Sequence, residues 1–338
     1  MKSISVVILN YNGAEMLRNF LPTLLRTTPA MVEVVVADNA STDDSVTVMQ
    51  NLFPEVTLIK LERNWGFAEG YNRALQQVKS DYYVLLNSDV EVTAGWLQPL
   101  LAFMDANAAA VACQPKVLSF NDKECFEYAG AAGGFIDRYG YPFCRGRLFD
   151  TVEKDSGQYD APCRLFWATG AALMVRSASF FEAGGFDGSF FAHMEEIDLC
   201  WRLQTLGGEV YAVPQSVVYH VGGATLSKDN PRKTYLNFRN NLIMLYKNLP
   251  DDELRAVMLV RTVLDYVAAL KFLFTGAWGS FRAVLRARCH YRRLRGGYEA
   301  ARRDNIVSTV GTVWGRLSFS LLWQYYVRGR KTYTRLKM

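Results

Sequence analysis

Short apolar runs alternate with stretches of helical periodicity along the first ninety residues. Ile4 to Leu9 is almost unbroken apolar, as expected of a strand buried on both faces. Ala14 to Arg26 places Met16, Leu17, Phe20, Leu21, Leu24 and Leu25 at helical spacing. Further strands are predicted over 33–37, 56–61 and 82–86. Helices are predicted over 43–52, with Ser41 or Thr42 as cap, and over 67–78. Such alternation implies parallel βαβ units, in which ligands bind at the carboxyl ends of the strands.

Each of these strands is followed by a polar cluster. Asn10-Tyr11-Asn12 follows the first, Asp38-Asn39 through Asp43 the second, Arg63-Asn64 with Gly66 the third, and Asn87-Ser88-Asp89 the fourth. One such cluster is ordinarily a turn or a cap. Four at one sheet edge point to a ligand.

Between Gly95 and Gly170 the pattern is less regular. It predicts a helix over 96–104, a strand over 111–113 and a loop-rich run over 130–146. A strand over 171–175 follows, then a helix over 195–206 with Asp198 and Arg202 as an i,i+4 pair, then strands over 210–213 and 217–220. Glu195 and Glu196 open that helix. They suit a general base near a reacting hydroxyl, or first-turn acids answering the helix dipole. Asp89 suits a Mg²⁺ or Mn²⁺ ligand or a cap, and His220 a metal ligand or a buried, hydrogen-bonded histidine.

Charge changes the picture at the C-terminus. The chain of 338 residues carries a net +5, but from Arg282 onward fourteen Lys and Arg face only Glu299 and Asp304. The run 256–281 is strongly apolar, with Arg261, Asp265 and Lys271 confined to about a third of the helical circumference. Neither it nor 317–327, which leads into Arg328, reaches the roughly 18 uncharged residues of a spanning helix. Two amphipathic segments on an anionic leaflet are expected, with a helical subdomain packed on protein as the competing reading. Half the residues are hydrophobic, which excludes a disordered chain. None of the six Cys has C-x-x-C spacing, so no zinc or redox motif is signalled. With no export leader apparent, reduced thiols and a cytoplasmic location are expected.

Taken in order, Asn10-Tyr-Asn12, Asp38-Asn39-Ala-Ser-Thr-Asp43, Asn64-Trp-Gly66-Phe-Ala-Glu-Gly70-Tyr-Asn72, Asn87-Ser-Asp89, Thr169-Gly170, Gly185-Phe186-Asp187, Glu195-Glu196-Ile-Asp198-Leu-Cys-Trp-Arg202 and Tyr219-His220 resemble glycosyltransferase family 2, in its bacterial rhamnosyltransferase-like branch. The resemblance covers about residues 3–250. It implies an α/β GT-A fold, a Rossmann-like three-layer sandwich, over 1–250. Residues 1–110 would bind nucleotide and 111–250 acceptor, and 251–338 would form a helical, membrane-associating extension.

The resemblance also implies roles. Asp38 would meet the nucleobase. Asn10 and Asn12 would line the nucleotide pocket, and Arg63, Asn64 and Asn72 would hold nucleotide or diphosphate, with Asn87 and Ser88 beside them. Asp89 would bind Mg²⁺ or Mn²⁺ as the surviving acid of a D-x-D motif, and His220 would complete that site. Trp167 and Gly170 would border sugar and acceptor. Glu196 would be the base, with Glu195 as fallback, since the family usually has Asp at position 196. The implied reaction is inverting transfer from a nucleoside-diphosphate sugar, dTDP-rhamnose being the first guess. The acceptor would be a saccharide hydroxyl on a polyprenyl diphosphate, at the inner face of the cell membrane. A sugar-1-phosphate nucleotidyltransferase is disfavoured because no Gly-rich loop ending in Arg follows the first strand. A nucleotide-sugar binder without catalysis fits Asn87 and Glu196. No motif supports nucleic acid as partner.

Overall fold

The computed structural model describes residues 2–222, 230–310 and 313–336. Strands β1 (Ile4–Asn10), β2 (Glu33–Asp38), β3 (Thr57–Lys60) and β4 (Tyr82–Asn87) alternate with helices α1 (Ala14–Thr27), α2 (Ser45–Leu52) and α3 (Gly66–Leu75). β3, β2, β1 and β4 lie side by side, all parallel, as expected. Strand order reverses beside β1, because β2 and β3 are laid down on one side of it and β4 on the other. Such reversals open a crevice at the carboxyl edge.

Alternation along the strands feeds two cores. Val7 and Leu85 pack with Tyr71 and Ala74 of α3 on one face. Val6, Ile8, Val84 and Leu86 pack with Leu17 and Leu21 of α1 on the other. The apolar runs were continuous because both faces are covered. Each such Leu or Val contributes about 1.5–3 kcal/mol of burial.

The second half completes the sheet. β5 (Val90–Val92), α4 (Leu97–Ala106) and β6 (Ala110–Ser119) come first. The segment expected to be loop-rich forms a small antiparallel sheet of β7 (Gly134–Ile136), β8 (Pro142–Cys144), β9 (Arg147–Leu148) and β10 (Thr151–Val152). Strands of two or three residues are too short to show periodicity. β11 (Cys163–Leu165), β12 (Ala172–Arg176), α5 (Ser177–Glu182) and α6 (Glu195–Thr205) follow. β13 (Glu209–His220) is one strand where two were expected, because an irregularity between Val213 and Val217 interrupts its pattern without ending the pairing. β12 runs antiparallel between β4 and β6, so the main sheet is mixed.

Helices α7 (Pro231–Asn248), α8 (Asp251–Phe274), α9 (Trp278–Leu294) and α10 (Glu299–Val307) form the C-terminal region. Arg261 and Asp265 of α8 point inward. Asp265 accepts hydrogen bonds from Arg261 and, at 2.6 Å, from Arg288 of α9, and Arg261 also donates to Asn241. The outward face of α8 is therefore the apolar one, with Leu259, Val263, Val267, Leu270 and Phe274 exposed. Arg261 and Asp265 of the polar stripe therefore form a buried seam against protein, as the competing reading of a packed helical subdomain has it. The expected amphipathic segment 317–327 is also different. Leu321 and Tyr325 are buried in the main core, and the stretch ends in a five-residue π-turn at Trp323–Val327. No helix among the described residues is long and apolar enough to cross a membrane. All six cysteines are free.

Candidate active site

The carboxyl edge of β1 and β2 is knit by side chains. Asn10, fully buried, donates from Nδ2 to Asp38 Oδ1 at 3.2 Å and to Ser41 Oγ at 3.2 Å. Asp38 Oδ2 accepts the Ser41 N–H at 2.9 Å. Asn12, at φ 53°, accepts the Thr42 N–H at 2.7 Å. Ser41 and Thr42 thus serve this loop and do not cap α2. Asp43 instead accepts the N–H of Ser45, the first residue of α2, at 3.0 Å.

The next loop continues the edge. Asn39 donates to Asn64 Oδ1 and to the Gly66 carbonyl, and it accepts the Trp65 N–H. Arg63 lays its guanidinium 3.5 Å from the Trp65 ring centre, and Arg73 lies at 3.4 Å from the same centre. Gly66 sits at φ 78°, where a Cβ would come within 2.6 Å of the Phe191 carbonyl. The close approach of the two loops therefore requires glycine.

Asp89 and His220 are brought together by backbone pairing. β5 runs antiparallel to β13 with Val90 opposite His220, and His220 Nε2 lies 3.1 Å from Asp89 Oδ1. Burial disfavours charge on both groups. Mutual attraction outweighs it for Asp89, whose pKa falls below the usual carboxylate value. For His220, Asp89 and Glu127 together overcome burial and push its pKa up to about 10. Glu127, which sequence reasoning missed, is buried, with Oε2 3.5 Å from His220 Nδ1.

A divalent ion with bonds of about 2.1 Å holds neighbouring ligand atoms about 3 Å apart. The Asp89–His220 spacing of 3.1 Å fits that. Among the described residues no group of three or more His, Cys, Asp or Glu converges as a cage. Mg²⁺ and Mn²⁺ sites in phosphate chemistry commonly take one or two protein ligands and complete the shell with water and substrate phosphate.

β12 joins this half to the carboxylates. Asn87 N–H donates to the Ala171 carbonyl at 3.0 Å, and a Cβ on Gly170 would lie 3.7 Å from Glu196 Cβ. Asn87 and Ser88 are half-buried, and the Asn87 amide is free of protein partners among the described residues. Glu195 and Glu196 each bury an Oε2 with no hydrogen-bond partner. Desolvation raises the Glu196 pKa to about 7. Desolvation, then the charge of Glu196, raises Glu195 well above the ordinary value. Asp198, by contrast, is neutralised by Lys247 and Arg202 despite complete burial, so its pKa is lowered.

The turn before α6 is strained, with Phe191, His193 and Met194 at φ 65°, 71° and 75°. Asn240 of α7, fully buried, holds it by donating to the carbonyls of Phe190, Ala192 and His193 at 2.9, 3.0 and 2.8 Å. The only sequence signal for Asn240 is the polar pair Asn240-Asn241 inside an apolar helical run.

Two expected site residues are engaged elsewhere. Asn72 uses both ends of its amide on the Phe186 backbone, at 2.9 Å each, and clips α3 to that loop. Trp167 is buried against Gly134 and donates from Nε1 to the Phe135 carbonyl at 3.0 Å, as part of the core.

Comparison with known proteins assigns the class: the chain is a glycosyltransferase of the GT-A fold. GalNAc-T7 in its crystal structure with UDP, GalNAc and Mn²⁺ superimposes with TM-score 0.59 at 19% identity, over 74% of this chain and 49% of that one. A mannosyltransferase from Pyrobaculum calidifontis, in complex with GDP-Man and Mn²⁺, gives TM-score 0.53 at 15% identity, over 91% and 86%. More particularly, residues 5–153 match the model of glycosyl transferase family 2. It is also similar to the N-acetylglucosaminyl-diphospho-decaprenol L-rhamnosyltransferase of Mycobacterium tuberculosis. The two are 26% identical over 72% of this chain and 83% of the relative.

Proposed function

We propose that the protein is an inverting, metal-assisted transferase. It moves a sugar from a nucleoside-diphosphate donor, dTDP-rhamnose first among candidates, to a hydroxyl of a saccharide carried on a polyprenyl diphosphate. The observation that carries the reading is the pairing of Asp89 with His220 at 3.1 Å, on the edge that also presents Asn10 and Asp38. The similarity to a rhamnosyltransferase whose name specifies a diphospho-decaprenol acceptor supports the donor and acceptor.

Asp38, Asn10 and Asn12 form the nucleotide end, with Asn64 shaping the adjoining loop and Arg63 exposed beside it. Asn87 and Ser88 lie between that end and Asp89, with Gly170 behind Glu196. Mg²⁺ or Mn²⁺, when bound by Asp89 and His220, supplies positive charge to the diphosphate. Glu196 accepts the proton of the acceptor hydroxyl. The oxygen bonds to the anomeric carbon while the bond to the diphosphate oxygen breaks, and the diphosphate leaves with the electron pair. One displacement inverts the centre. A carboxylate with a pKa near 7 is well matched to this task at neutral pH.

The outward apolar face of α8, prolonged by exposed Trp278 and flanked by the basic run from Arg282, suits the anionic inner leaflet of the cell membrane. The experiment is a binding and turnover screen of UDP-, dTDP- and GDP-sugars with and without Mn²⁺ or Mg²⁺. One donor should bind in a metal-dependent way and be slowly hydrolysed, and Glu196→Gln should abolish the hydrolysis while binding persists. Binding of no nucleotide by the wild type would refute the reading.

A further inference from the structure

A cavity of about 550 Å³ opens between the first turns of α7 and α9. Its walls carry Arg232 and Arg239 of α7 and Arg282 and Arg286 of α9, with Tyr235 and Phe191. Among the described residues no carboxylate lines it, and none of the four arginines forms an ion pair. The guanidiniums are placed by aromatic rings. Arg239 and Arg286 lie 5.3 and 5.2 Å from the Tyr235 ring centre, and Arg232 lies 4.7 Å from that of Phe191. Arg239 is also anchored to the carbonyls of Ser189 and Phe190 at 2.9 and 3.1 Å. The local potential is visible at His290, which bonds Tyr235 and whose pKa is lowered, first by burial and then by Arg286, Arg293 and Arg239. Like charges gathered without acids repel one another unless an anion joins them.

Two neighbours define that anion. Phe191 lines the cavity on one side and on the other packs against Gly66 at the head of α3, within the turn that leads to Glu195 and Glu196. Gly279, also in the wall, directly follows Trp278, which is 59% exposed, and Phe274, 84% exposed, ends the apolar face of α8. The cavity therefore lies between the catalytic turn and the apolar surface. We infer that it is a receptor for the diphosphate of a lipid diphosphate, the acceptor's anchor. Its arginines would hold the two phosphates, and the lipid would run along Trp278 and Phe274. The acceptor role rests on the transferase reading above; the binding of a lipid diphosphate does not. Guanidinium forks match phosphate oxygens bidentately, and four of them suit two linked phosphates better than one phospholipid headgroup.

The test uses the full chain in vesicle-free buffer, with farnesyl diphosphate as probe and inorganic pyrophosphate and dTDP as comparators, followed by titration calorimetry. Arg282→Glu with Arg286→Glu should weaken farnesyl diphosphate at least about tenfold and leave dTDP affinity and thermal stability unchanged. Arg292→Glu with Arg293→Glu, exposed on the same helix but outside the cavity, should change it less than about twofold. Equal weakening by both pairs would reduce the effect to net charge and overturn the proposal. So would unchanged affinity in the first pair, or competitive displacement of farnesyl diphosphate by dTDP, which would put the diphosphate at the donor edge. Pyrophosphate binding as tightly as farnesyl diphosphate, with the same dependence on Arg282 and Arg286, would replace the lipid with a free anion. If the wild type binds farnesyl diphosphate through these arginines but no nucleotide, the cavity stands and the transferase reading falls.

Discussion

Asp89 and His220, 131 residues apart in sequence, are placed side by side by a three-residue strand: Val90 of β5 pairs with His220 of β13. The contact is thus a consequence of backbone register, and a one-residue slip in that pairing would part the two side chains. Asp89→Ala should abolish metal-dependent donor binding and lower kcat/KM at least about hundredfold. His220→Ala should weaken Mn²⁺ affinity about ten- to hundredfold. Titration of Mn²⁺ by electron paramagnetic resonance, with and without nucleotide, measures both. Unchanged Mn²⁺ binding in both variants would place the metal elsewhere.

The two adjacent carboxylates are predicted to separate in their pH behaviour. A base must be ionised to take a proton, so with the Glu196 pKa at about 7 the rate should fall as pH drops through that value, and plateau above it. Glu195 is raised too, by burial and then by the charge of Glu196, but only Glu196 is assigned the proton transfer. Glu195→Gln should therefore keep the limb near 7, whereas Glu196→Gln should remove turnover altogether. A limb that disappears in Glu195→Gln with activity retained in Glu196→Gln would reverse the assignment.

Asn240 holds three carbonyls, of Phe190, Ala192 and His193, in the strained turn that leads into Glu195. Asn240→Ala should relax that turn and misplace the base, lowering kcat about hundredfold while donor affinity stays within about twofold of wild type. Isothermal titration with the donor nucleotide, beside initial-rate kinetics, separates the two. Loss of both together would mean that the amide supports the fold as a whole.

On α8 the buried and exposed faces make opposite predictions. Asp265→Ala leaves Arg261 and Arg288 buried without their shared partner, and should destabilise the protein by about 3–5 kcal/mol, read in chemical denaturation. Val263→Glu with Phe274→Glu changes only exposed positions, so the thermal midpoint should hold while sedimentation with anionic vesicles falls at least about tenfold. Undiminished sedimentation would leave the apolar face to another partner. Deleting everything beyond 250 is the poorer experiment. It would also remove Leu321, Tyr333 and Leu336 from the main core, and Arg302, which caps α7 through the Leu249 carbonyl at 2.7 Å.

What the sequence determined by itself is the first half of the sheet and the edge at which the candidate site lies. Apolar runs such as Ile4 to Leu9, helical spacing such as that of Leu17, Leu21 and Leu24, and a polar cluster after every strand are local patterns, and short βαβ connections turn them into a fold with few alternatives. Asn10, Asp38, Asp89, His220 and Glu196 were legible for the same reason: each closes or directly follows a strand, or opens a helix.

Tertiary structure decided which side chains remain available and which contacts link distant segments. Asn72 and Trp167 belong to the family pattern, yet their polar groups are consumed by Phe186 and Phe135. Glu127 carries no local signal and Asn240 only that of a polar pair in an apolar helix, because their partners lie far along the chain. The orientation of α8 followed neither from its composition nor from its periodicity. Both faces of that helix are compatible with burial until Arg288 and Asn241 arrive to satisfy Asp265 and Arg261, and hydrogen bonds to a buried charge then outweigh the exposure of a few aliphatic side chains.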